Sequence, residues 1–180
     1  MTYHPDIHHR HSIRLKDYVY SQAGAYFVTI CAWQRECLFG DIVDGEMRLN
    51  ALGQIALDEW NRTPEIRKEI ELDVAVLMPN HFHGIICIVD DGTTVVGATG
   101  RSPLPPGPRP RSLGAFVGGF KSAVTTQINK IRQNPGCPVW QRNYYERVIR
   151  NDAELGRARE YIINNPLKWE LDKEHPANAK

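Results

Sequence analysis

"ELDVAVLMPNHFHGIICIV", residues 71–89, decides the fold. "ELDVAVLM" reads as a strand, Pro79-Asn80 as a tight turn, and "HFHGIICIV" as the strand returning beside it. Both strands are apolar on each face, which predicts a central pair covered on both sides. Two histidines sit inside this run. Residues two apart on a strand share a face, about 6–7 Å apart along it. His81 and His83 therefore project together while Phe82 packs on the other side. An imidazole buried without a partner is costly. Two that converge suit a divalent metal, provided a third ligand arrives from elsewhere; hydrogen-bonded core histidines satisfy the same pattern.

Working outward, "AYFVTICAW" (Ala25–Trp33) is rich in aromatic and β-branched residues and predicts the first strand. Leu52, Ile55, Ala56 and Trp60 fall at helical spacing, with Asn50 as cap and Pro64 beyond the end. Residues 90–112 are crowded with Gly, Pro, Thr and Ser and predict a flexible insertion. A helix resumes with Ser112 as its cap, although Gly118 and Gly119 weaken its start. "VWQRNYYERVI" (139–149) predicts another strand, and "NDAELGRAREYIINNP" (151–166) a last helix capped by Asn151 or Asp152 and ended by Pro166. The order β-α-β-β-α-β-α is that of a ferredoxin-like split unit, an α+β fold with an antiparallel sheet backed by helices, plus one extra C-terminal helix. One domain over residues 1–180 is expected, with a loose tail at 1–11 that holds His4, His8, His9 and His11.

The net charge of the 180 residues is only +1, but its distribution is lopsided. Residues 1–100 carry eight Lys and Arg against fourteen Asp and Glu; residues 101–150 carry nine against Glu146 alone. A basic block on a neutral chain predicts either a polyanion-binding surface or a solvated loop and helix face. No apolar run approaches the roughly 20 residues of a membrane span, and the N-terminus lacks the apolar stretch of a secretory signal. Cys31, Cys37, Cys87 and Cys137 show no CxxC spacing, which favours reduced thiols and a cytoplasmic protein over a disulfide framework.

In the last helix Leu155, Ala158 and Ile162 form one stripe, and Glu154, Arg157, Tyr161 and Asn165 a second. Tyr161 and Asn165 are one turn apart, about 6 Å along the axis, so a single object can touch both. Asn165 offers an amide oxygen that Mg²⁺ or Mn²⁺ accepts. Tyr161 offers a phenol, which needs a metal or a base nearby before it acts as a nucleophile; packing on an amphipathic helix explains it equally well.

"MPNHFHGII", "VWQRNYYERVIR" and "REYIINNPLKW", in that order, resemble the HUH-type single-tyrosine transposases, among them the REP-associated tyrosine transposases. "SIRLKDYVYSQAGAYFVTI" is similar to the start of the same family, and the resemblance covers roughly residues 11–172 without the Pro-rich insertion. It implies that His81 and His83 are metal ligands, that Asn165 completes the shell around Mg²⁺ or Mn²⁺, and that Tyr161 is the nucleophile. The implied activity is cleavage and rejoining of single-stranded or hairpin DNA through a 5′-phosphotyrosine, with release of a 3′-OH. On that reading Lys121, Lys130, Arg132, Arg142 and Arg157 hold backbone phosphates. Trp140, or the exposed member of the Tyr144–Tyr145 pair, stacks an unpaired base; neither tyrosine of that pair is expected to be the nucleophile. The chain is expected to act without a membrane, as a monomer or as a homodimer with exchanged helices. Two alternatives remain: a non-catalytic DNA hairpin-binding protein of the same fold, and a metal-dependent hydrolase of small phosphoesters.

Overall fold

The structure, a computed structural model, describes residues 22–90 and 110–178. The tail at 1–11 with its four histidines, and the insertion apart from its outermost residues, lie outside the described residues. Strand β1 (Gly24–Cys31) is followed by a hairpin of β2 (Gly40–Val43) and β3 (Glu46–Leu49), then by α1 (Ala51–Asn61) and the short α2 (Thr63–Ile66). Strands β4 (Ile70–Leu77) and β5 (His81–Ile88) come next, then α3 (Leu113–Arg132), β6 (Tyr145–Ile149) and α4 (Asp152–Ile163), with a 3-10 turn at Pro166–Leu171. The main sheet is antiparallel, in the order β4-β5-β1-β6. The α+β class and the order of the main elements are those predicted.

Local chemistry explains the helix starts. Asn50 Oδ1 accepts from the backbone N–H groups of Leu52 and Gly53, Ser112 Oγ from Ala115, and Asn151 Oδ1 from Glu154. Asn151 rather than Asp152 is therefore the cap of α4.

One face of the sheet is the main core. Tyr26, Val28 and Ile30 of β1 join Phe82, Ile86 and Ile88 of β5 against Trp60 of α1 and Phe116, Phe120, Val124 and Ile128 of α3. The Trp60 and Phe82 rings lie 4.4 Å apart between centroids. Gly84 permits this approach, because a Cβ there would stand 2.6 Å from Trp60 Cζ2. The other face carries His81 and His83, and α4 packs over it against β4 and β5.

Three expectations need correction. β5 is central, but β4 is an edge strand; its apolar side chains are covered by α1, α2 and α4 above and below, not by a further strand beside it. A β-bulge between Leu72 and Ala75 breaks its register at that edge. Strand β6 starts only at Tyr145, and Trp140 makes an isolated bridge with Ala32. The β2–β3 hairpin was not foreseen, although its turn has a clear signal: Asp44 and Gly45 both have positive φ, 54° and 75°, as an Asp-Gly hairpin turn requires. No helix among the described residues is long and apolar enough to cross a membrane. All four cysteines are free.

Candidate functional site

His81 and His83 open β5, both fully buried, with ring centroids 4.5 Å apart. Their Nδ1 atoms are already engaged. Asn80 Nδ2 donates to the carbonyls of Arg35 (3.1 Å) and Glu174 (2.7 Å), which leaves Asn80 Oδ1 as an acceptor 2.9 Å from His81 Nδ1. His81 must then carry its proton on Nδ1, so the Nε2 lone pair is available. That Nε2 is buried without a hydrogen-bond partner. Thr29, opposite His83 in the register of β1 and β5, places its hydroxyl 2.8 Å from His83 Nδ1. Burial keeps both rings neutral. It lowers His81 to about 4 against a smaller opposing pull from Asp172, and holds His83 well below the ordinary value, helped by His81 and Lys173.

Helix α4 brings Tyr161 to this pair. Arg159 donates to both carboxylate oxygens of Asp73, at the β4 bulge, over 2.6–3.1 Å and ties the helix to the sheet edge. Ile162 is buried beneath. The Tyr161 ring meets Phe27 edge-on at 5.9 Å, and its hydroxyl stands 3.4 Å from His83 Nε2. Burial, reinforced by the Asp172 carboxylate, pushes the phenol up to about 12. Tyr161 still exposes 43% of its surface, toward solvent on one side. Asn165, one turn on, is buried; its Nδ2 donates to Asp172 Oδ2 at 3.0 Å, and its Oδ1 has no hydrogen-bond partner.

Asp172 is the member of this cluster that sequence reasoning missed. It follows the 3-10 turn, and one ligand atom from each of His81, His83 and Asp172 lies within 4.8 Å of the others. In the sequence "LDKEHP" looks like any charged, aperiodic segment; no spacing points to it. Two neutral imidazoles, an amide oxygen and a carboxylate make a donor set that fits a divalent cation. The unpartnered, buried His81 Nε2 and Asn165 Oδ1 fit it as well.

Beside Tyr161 opens a cleft of ≈ 480 Å³, floored by Phe27 and His83 and rimmed by Tyr145, Arg147, Arg157 and Lys173. Of the basic residues singled out in the sequence, Arg157 lies here. Lys121, Lys130 and Arg132 are on α3, on the opposite face of the sheet. The Lys121 ammonium donates to the carbonyls of Gln141 and Asn143 (2.9 Å each) and Arg142 (3.5 Å), which holds the loop before β6. Arg142 is exposed on that loop. Trp140 is only 6% exposed and packs against Phe39 and Phe120, so it does not offer a face for stacking. Tyr144 packs against the core, whereas Tyr145 is exposed at the cleft with Lys173 Nζ 5.5 Å above its ring.

No family model matches the chain. A protein of Haemophilus influenzae, described as an uncharacterized protein, is 41% identical over 174 residues, which are 95% of this chain and 96% of that protein. Among solved structures the chain is similar to a REP-associated tyrosine transposase bound to a REP hairpin, with a TM-score of 0.53. The likeness covers 91% of this chain and 77% of that one at 16% identity, and is a likeness of fold.

Proposed function

The chain belongs to the same family as that Haemophilus influenzae protein and has the HUH-type tyrosine-transposase fold, and from this we propose that it cleaves and rejoins single-stranded DNA beside a hairpin. The observation that carries the reading is the Tyr161 hydroxyl at 3.4 Å from His83 Nε2 within one chain. His81, His83 and Asn165 would hold Mg²⁺ or Mn²⁺. A divalent cation there supplies Lewis-acid charge that offsets the charge developing on the scissile phosphate.

Tyr161 attacks phosphorus in line. The bond from its oxygen to phosphorus forms, the bond from phosphorus to the 3′-oxygen breaks, the phenol proton leaves to solvent, and the departing 3′-oxygen takes one up. The product is a 5′-phosphotyrosine and a free 3′-OH. The linkage preserves the phosphodiester bond energy, so a 3′-OH can reverse the step and join strands without another energy source. A phenol held near 12 is almost wholly protonated at neutral pH, so attack waits for the bound, activated state. Phe27 shields the inner side of the ring from water. Arg157, with Arg147 and Lys173, would hold backbone phosphates along the cleft, and Tyr145 would stack an unpaired base. The solved transposase of this fold is bound to a hairpin, which supports hairpin DNA as the substrate class.

The test is an adduct gel with Mn²⁺ and a pooled library of hairpin oligonucleotides carrying single-stranded tails. Wild type is expected to form a detergent-stable protein–DNA adduct; Tyr161→Phe is expected to form none while still shifting the hairpins. An adduct that survives in Tyr161→Phe overturns the nucleophile. A wild type that binds hairpins but never forms an adduct overturns the enzyme in favour of a binding protein.

A further inference from the structure

The three ligands that the sequence resemblance implies, His81, His83 and Asn165, are all neutral. A dication enclosed by them lacks any counter-charge, which is costly in a site screened from water. Hard cations such as Mn²⁺ and Mg²⁺ also favour carboxylate oxygen over imidazole. The segment after the 3-10 turn brings such a group. Asp172 is buried, and its ligand atom lies within 4.8 Å of those of His81 and His83.

We infer that Asp172 is a direct, anionic ligand of the cation proposed for this site, and so its main determinant of affinity for hard metals. The inference rests on the metal reading given above. Its geometry is prepared by nearby residues of the same chain. Asn165 Nδ2 donates to Asp172 Oδ2 at 3.0 Å and the Glu174 backbone N–H to Oδ1 at 2.7 Å. Each oxygen retains lone-pair capacity, since an ionised carboxylate has about four acceptor sites. The two bonds fix the rotamer without using up the ligand. Glu174 is itself anchored: its carboxylate pairs with Arg35 Nε at 3.1 Å, and its carbonyl accepts from Asn80, the residue that sets the His81 tautomer. The C-terminal segment is thus built into the site from two sides.

The competing role is positional, with Asp172 doing no more than orienting the Asn165 amide. A double-mutant cycle on the full chain separates the two, read as Mn²⁺ affinity by calorimetry without DNA. Asp172→Asn is expected to weaken Mn²⁺ at least about tenfold, and to do so again in an Asn165→Ala background. Wild-type affinity in Asp172→Asn, or an effect that vanishes in that background, overturns the inference and leaves the metal reading standing. No Mn²⁺ binding by wild type, or full binding by His81→Ala, overturns the metal reading and the inference with it. Should Asp172→Asn not fold, melting of Asp172→Glu with and without Mn²⁺ decides. The restored charge is expected to keep part of the wild-type Mn²⁺ stabilisation, and a complete loss counts against a direct ligand.

Discussion

Arg159 grips both carboxylate oxygens of Asp73 across 86 residues of sequence, and this contact fixes the helix that carries Tyr161 to the edge of the sheet. Because Arg159 and Tyr161 are two residues apart, a helix pinned at one is oriented at the other. The 3.4 Å between the phenol and His83 follows from that anchor together with the burial of Ile162.

Asp73→Ala should therefore act on chemistry more than on stability, since the ion pair is largely at the surface. We expect single-turnover adduct formation to slow about tenfold or more, because misplacing a reacting atom by an ångström is enough for that. Hairpin affinity should stay within about twofold. An equal loss of affinity and rate would point to a general disturbance of the fold. Arg159→Lys should not rescue, as an ammonium cannot form the two-pronged contact.

Asn80→Ala removes the acceptor that holds the His81 proton on Nδ1. The proton is then free to move to Nε2, where it would block a ligand. Calorimetry with Mn²⁺ should show a loss of roughly 10–100-fold, with the chain still folded by circular dichroism. Unchanged affinity would mean that the tautomer is set elsewhere.

Acid should destabilise the metal-free chain within a definite window. Unfolded, each histidine titrates near 6.5, whereas in the fold burial lowers His81 to about 4 and His83 well below 6.5. Below 6.5 the unfolded chain takes up protons that the fold refuses. The stability contributed by the neutral rings is full above about pH 6.5 and is lost as pH falls toward 4. Urea midpoints measured between pH 7 and 4.5 in chelator should decline across this range. His81→Leu with His83→Leu should flatten the decline, and an unchanged slope in that variant would refute the assignment.

Lys121 and Arg157 should behave in opposite ways. Lys121→Ala leaves three carbonyls without their donor and should cost about 1–3 kcal/mol in chemical denaturation. The salt dependence of hairpin binding should be untouched. Arg157→Ala should leave stability alone and reduce the slope of log affinity against log salt by about one. A reversal of the two results would return the phosphate contacts to α3.

The sequence by itself determined what short-range geometry encodes. A period of two placed His81 and His83 on one face, opposite Phe82. A period of 3.6 predicted Tyr161 and Asn165 on one stripe, and although α4 ends at Ile163, Asn165 keeps helical dihedrals just beyond it. The Asn50 and Ser112 side chains started their helices where local hydrogen bonding favours it. Even the missed hairpin had its sign in Asp44-Gly45. What only the tertiary structure decided is which of these faces meet. The basic residues of α3 went to the far side because Phe116, Phe120 and Val124 on the same helix must cover the Phe82 face. Asp172 reached the histidines because Asn165, Asn80 and Arg35 gather the aperiodic segment that contains it and Glu174. Periodicity is a property of neighbouring residues, fixed by covalent geometry. A contact between distant residues depends on apolar surfaces and ion pairs that come together only when the whole chain packs.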